Sequence, residues 1–196
     1  MKVLPIALFL SVLLSTPVFG QVQQAKIANP GPLPDEFFGV PYAFKRLVER
    51  VTLFFTFNNP DRLTLRTDFA ERRLAEGILM AQKGDSSTAK NLLDEYSKEM
   101  ADIVDSAQSL AKTRLNDPKV RELIAKIADA TKRHFAVLQD VASTVPDETK
   151  SALLRAISVS QKGSETSRAE LEMIPQQERP TLPPITDAAP IRGKQK

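Results

Sequence analysis

The chain has 196 residues, with 27 Lys and Arg against 24 Asp and Glu for a formal net charge of +3, a single histidine, and neither cysteine nor tryptophan. Without cysteine, disulfides, thiol catalysis, thiolate metal centres and lipid attachment at a cysteine are all excluded. The charges are interspersed and nearly balanced, so the small cationic excess is only a weak pointer to anionic partners.

Residues 1–20 read as an export signal. Lys2 supplies a positive start, Val3 to Leu14 is almost unbroken apolar sequence, and Val18-Phe19-Gly20 places tolerated residues before a cleavage expected after Gly20. The apolar run is shorter than the roughly 20 residues of a membrane span. Cleaved, the chain is periplasmic or extracellular; uncleaved, it is anchored at its N-terminus. Residues 21–40, with Pro30, Pro32 and Pro34, form an extended leader that cannot hold regular helix hydrogen bonds. A 41–173 domain follows, long enough for one core.

The first helix is expected from Pro41 to about Asn58, with Phe44, Leu47, Val48, Val51, Phe54 and Phe55 as its core stripe. Asn59-Pro60-Asp61 is a cap acceptor, a proline at the first helical position and an acid facing the helix dipole. It opens a second helix running to Lys83 before Gly84, with Leu63, Ala70, Leu74, Ile78 and Ala81 buried and Gly77 marking a close crossing. A third helix opens at Asp85 or Ser86, buries Ala89, Leu92, Leu93, Tyr96, Met100, Ile103, Val104 and Ala107, and ends at Asn116. Asp117-Pro118 starts a fourth, striped by Val120, Leu123, Ile124, Ile127, His134, Leu138, Val141 and Val145. Pro146-Asp147-Glu148 starts a fifth carrying Ala152, Leu153, Ala156, Ile157 and Ser160, whose pattern fades after Gly163. Every proline from Pro41 to Pro146 falls at a helix start, the agreement between levels expected of a helical fold. The predicted fold is all-α, an antiparallel bundle or stacked hairpins of four to five long helices. Residues 174–196, with Pro175, Pro180, Pro183, Pro184 and Pro190 and a basic end, are expected to be a disordered tail.

Few residues suggest chemistry. His134 has Ala130, Thr131, Val137 and Leu138 as its helical neighbours and reads as a packing histidine. Glu95, Glu99 and Asp102 share one side of the third helix with Asp94 and Asp105 close by; a straight helix cannot wrap a hard cation with six to eight oxygens, so this is read as a solvated acidic face. Lys45, Arg46, Arg50, Arg62, Arg66 and Arg73 form a basic stripe on the first two helices. It either pairs with acids on a neighbouring helix or contacts anionic lipid or cell-wall polymer. Of the eight phenylalanines after residue 20, seven lie between Phe37 and Phe69. With the core stripe of the first helix already assigned, Leu53 and Phe57 on another side and Phe37-Phe38 before it are surplus apolar surface. Either the helix is buried on two sides, or Phe37, Phe38, Leu53 and Phe57 meet a partner.

The segments Pro41 to Arg50, Leu53 to Phe57 and Ala70-Glu71-Arg72-Arg73-Leu74-Ala75-Glu76 resemble an exported helical family known as domain of unknown function 5667, over about residues 36–110. The resemblance implies a helical hairpin in envelope proteins, with no established activity and no catalytic residues to carry over. Within such a hairpin Glu49 would approach Glu71 and Arg72, and partly buried pairs of this kind fix register.

The expected function is that of an exported, non-catalytic interaction protein, binding an envelope protein or itself, with weak contact to an anionic membrane surface as a further possibility. No cofactor, metal, nucleic acid or small-molecule substrate is indicated. The alternative is a holdase-like envelope-stress chaperone; a hydrolase lacks any nucleophile, base and orienting group that can be named.

Overall fold

The computed structural model describes residues 40–175, and all secondary structure among them is helical. The expected signal, most of the leader and nearly all of the expected tail lie outside the described residues. Five helices follow in order: α1 Val40–Phe55, α2 Asn59–Gln82, α3 Ser86–Arg114, α4 Pro118–Val141 and α5 Asp147–Glu172.

The boundaries follow local chemistry. Gly84 ends the α2 turn with φ +84°, a left-handed conformation that glycine adopts without a Cβ penalty. Asp85 then caps α3, its carboxylate accepting from the Thr88 N–H at 3.0 Å, and Asp117 caps α4 by accepting from the Lys119 N–H at 2.9 Å. The α2 cap is Asn58, one residue before the expected Asn59, and its side chain makes no capping bond. At α5 the proline itself occupies the cap position, so no side-chain acceptor is available and Asp147 and Glu148 lie in the first turn.

Side-chain contacts give the helix directions. Arg66 reaches Glu99 and Asp102 while Arg73 lies near Glu95, so α2 and α3 run antiparallel. Asp61, Asp68 and Glu71 pair with Lys119, Lys126 and Arg133, placing α4 parallel to α2. Arg155 pairs with Asp94 and Lys162 with Asp105, placing α5 parallel to α3. The α2–α3 and α4–α5 hairpins thus stack side by side, and α3 and α4 meet across the core. That core is built from Leu74, Leu93, Met100, Ile103, Leu123, Ile127, Leu138 and Leu153 among others, with a small cluster of Ala111, Val120 and Ile124 at one end.

Two glycines mark close approaches. A Cβ on Gly77 would lie 3.1 Å from Leu93 Cγ, as the sequence led us to expect, and one on Gly163 would lie 2.8 Å from Thr131 Cγ2 and 3.1 Å from Val104 Cγ2. The second explains why the apolar pattern of α5 fades. Ser160, Gly163 and Ser167 are buried there, so the contact is made by small residues that carry no hydrophobic signal, and the helix continues to Glu172.

Candidate functional site

The first helix is turned the opposite way from its sequence expectation. Its apolar stripe is outside the core: Phe44, Leu47, Val48, Val51, Phe54 and Phe55 are all exposed, with Phe54 at 74%. The reason lies in the other face. At three- and four-residue spacing α1 presents Tyr42, Lys45, Arg46, Glu49 and Leu53 to the bundle, and charge, not apolar area, seats the helix.

The seat is a buried ion network. Arg73, 3% exposed on α2, bonds Glu49 of α1 and Glu76 one turn along its own helix, and Lys45 bonds Glu76 as well. Tyr42 donates to Glu76 at 3.3 Å and accepts from Arg73 at 3.4 Å. Burial pushes the Tyr42 phenol up to about 12, with Glu76 acting in the same direction and Arg73 against it. Burial also works against the charge of Arg73, but the two carboxylates outweigh it and hold the guanidinium above its ordinary value. Arg46 closes the rim with Glu95 at 3.0 Å and Glu49 at 3.6 Å. Buried charges of this kind are tolerated only when matched, so the network fixes which face of α1 docks. The hairpin pairing expected from the sequence is therefore displaced: Glu49 meets Arg73, not Arg72, and Glu71 turns to Arg133 and His134. A groove of about 290 Å³ with a mixed charged and apolar lining lies alongside, bordered by Arg50, Leu53, Phe69, Glu95 and Lys98 among others.

The predicted site residues divide accordingly. Leu53 is half-buried over that groove, and Phe57 is 85% exposed, so burial of this helix on two sides does not occur; Phe37 and Phe38 lie outside the described residues. Of the basic stripe, Lys45, Arg46, Arg66 and Arg73 are engaged with carboxylates. Arg50 and Arg62 are exposed with no ion partner among the described residues. The acidic face of α3 is not simply solvated: Glu95, Glu99 and Asp102 meet arginines of α1 and α2, and Asp94 and Asp105 meet α5. Arg155 of α5 takes the Asp94 carboxylate at 2.5 Å.

His134 packs, as expected, but with polar partners that its own helix did not reveal. It has no exposed surface, and its Nδ1 lies 2.9 Å from the Tyr96 hydroxyl, which is 2.6 Å from Ser160 Oγ. Ser160 in turn donates to the Ala156 carbonyl at 2.8 Å. Hydrogen-bond accounting then has Tyr96 donating to Ser160 and His134 Nδ1–H donating to Tyr96. The bare Nε2 has no hydrogen-bond partner and faces Glu71 at 3.9 Å. Burial drives the imidazole down to about 3, with Arg133 adding to the effect, and burial raises the Tyr96 phenol. All three side chains are fully buried, so this row joins helices and meets no solvent. Among the described residues no group of three or more His, Asp or Glu is arranged to hold a metal, and no helix is long and apolar enough to cross a membrane.

The family described as Domain of unknown function (DUF5667) matches residues 31–148, well over half of the chain. The chain belongs to this family. The DUF5667 match takes in α1 to α4 whole and stops two residues into α5, so it contains both the buried ion network and the exposed side of α1. Searches of curated proteins and of solved structures find no match.

Proposed function

We propose that this DUF5667 protein is an exported, non-catalytic interaction protein whose binding element is the solvent-facing apolar side of α1. One observation carries the reading: α1 is seated by a charged face, leaving its apolar stripe in water. A surface helix ordinarily turns that stripe to the core. Here a 16-residue helix, little longer than the ~12–15 residues below which an isolated helix is marginal in water, is held to the bundle by ion pairs and offers its apolar side outward. Contiguous apolar surface beyond the roughly 300–600 Å² of an ordinary monomer's largest patch marks an interaction site. Burial of the only histidine within Tyr96 and Ser160 favours a binding role over hydrolysis. The holdase alternative draws on the same phenylalanines, but a single convex helix offers a client no cradle.

The test uses the absence of native cysteine. In cells producing the full chain, a maleimide should label Leu154→Cys, an exposed position on α5, much faster than Val51→Cys, whereas in dilute purified protein both should react. Equal labelling in cells would sink the reading.

A further inference from the structure

Resting on that reading, we infer that the occupant of the α1 face is a second copy of this chain. Phe44, Leu47, Val51 and Phe54 recur at steps of three, four and three, the a and d spacing of a helix-pairing seam, with Val48 and Phe55 following the d positions at e. Glu49 falls at f, directly opposite the seam, and is the residue bound by Arg73 inside the molecule. The two faces of α1 are therefore divided cleanly: the side that a coiled coil leaves in solvent docks on the bundle, and the side that a coiled coil buries is open.

The size fits. With roughly 200 Å² carried by an aromatic side chain, the exposed fractions of Phe44, Phe54 and Phe55, 66, 74 and 66%, leave about 400 Å² on three rings. Leu47, Val48 and Val51, each about half exposed, bring the face to about 650 Å², within the ~600–1,000 Å² per partner of a standard interface. A two-heptad seam is too short to pair free helices, but α1 is already folded on its bundle, which removes most of the ordering cost. A face that is complementary to helices of its own pattern forms an isologous, closed dimer. Charge argues against anionic lipid at the same place. Binding a lipid surface requires free cations beside the apolar strip, whereas Lys45 and Arg46 are turned inward to Glu76 and Glu95, leaving Arg50 as the exposed cation within α1.

The experiment places single cysteines at Phe44, Leu47, Val51 and Phe54 in turn in the full chain, with Leu154→Cys as control, and oxidises them in the producing cells. At least one seam position should give a disulfide-linked species of twice the monomer mass, because facing seam residues bring Cα atoms within the ~7 Å that a disulfide needs; Leu154→Cys should not. Sedimentation of the full chain should show concentration-dependent association that Phe54→Asp weakens at least ~100-fold, since each copy would then bury a carboxylate, while its helical circular dichroism stays unchanged. A single sedimenting species at ~100 µM with no seam crosslink above the control overturns the inference. If Val51→Cys is shielded in cells but no seam position crosslinks to itself, α1 binds something else: the second copy is refuted and the binding face stands. Flotation of the full chain with phosphatidylglycerol vesicles, abolished by Phe54→Asp, would overturn the second copy in favour of lipid.

Discussion

His134 is held neutral between α3, α4 and α5, and this makes the fold sensitive to mild acid. The groups around it are Tyr96 from α3, Ser160 from α5, Glu71 from α2 and Arg133 on its own helix. Glu71 would favour a proton on Nε2, but it is bonded by Arg133, and burial holds the imidazole down to about 3 against an ordinary 6.5. In the unfolded chain the same ring takes up a proton near pH 6.5. As pH falls below that value the unfolded state binds a proton that the folded state refuses, so stability is lost progressively between about pH 6.5 and pH 3. At the limiting slope of about 1.4 kcal/mol per pH unit, lowering the pH from 7 to 5 removes about 2 kcal/mol. Asp85, Asp117 and Asp147 are held below their ordinary value by hydrogen bonds, the first two chiefly to backbone N–H groups and the last to Lys150. Their contribution is present above the unfolded carboxylate range and is lost only below about pH 4, so the pH 7 to 5 interval isolates the histidine. Urea unfolding followed by circular dichroism at both pH values measures the difference, with His134→Leu as the reference. The variant should be less stable at pH 7, yet lose under about 0.5 kcal/mol on acidification. An equal loss in the variant and the natural chain would refute the reasoning.

Arg73→Met removes the guanidinium that joins Glu49 to Glu76, and stranding buried carboxylates costs about 3–5 kcal/mol. Chemical denaturation reads this loss, hydrogen exchange should show α1 released first, and a loss below about 1 kcal/mol contradicts the described seat. Gly163→Ala should destabilise by about 1–3 kcal/mol, because Thr131, fixed by its bond to the Ile127 carbonyl at 2.7 Å, cannot withdraw. A Cβ at Gly77 would meet the Leu93 side chain at 3.1 and 3.2 Å and Leu92 Cβ at 3.4 Å, none as close as the 2.8 Å at Gly163, and Gly77→Ala gains roughly 1 kcal/mol of helix propensity, so thermal melts should find it nearly neutral; equal effects at the two glycines would dismiss the distinction. Asp85→Ala should lose about 1 kcal/mol with its cap bond, whereas Asn58→Ala should lose only a few tenths, since Asn58 makes no such bond; denaturation midpoints compare the two directly.

The sequence alone determined that the chain is all-α, where nearly every helix starts, and most of the lining of the α2–α5 core, because these depend on neighbours within one or two turns. Prolines and aspartates punctuate the chain, Gly84 closes a turn, and stripes such as Val120, Leu123, Ile124 and Ile127 recur at helical spacing. The second half of α5 was harder to read because Ser160, Gly163 and Ser167 pack by being small, and a hydrophobic pattern does not register close approach. The row from His134 through Tyr96 to Ser160 spans three helices, and no spacing within any one of them announces it. Tertiary structure alone decided the orientation of α1. The pattern of Phe44, Leu47, Val51 and Phe54 says that this helix has an apolar side, but the four longer helices close their core without it. What remained to seat α1 was the match of Glu49 and Lys45 to Arg73 and Glu76, charges that attract strongly where water is excluded. That match turned the phenylalanines outward, and with them the surface through which we propose the protein binds.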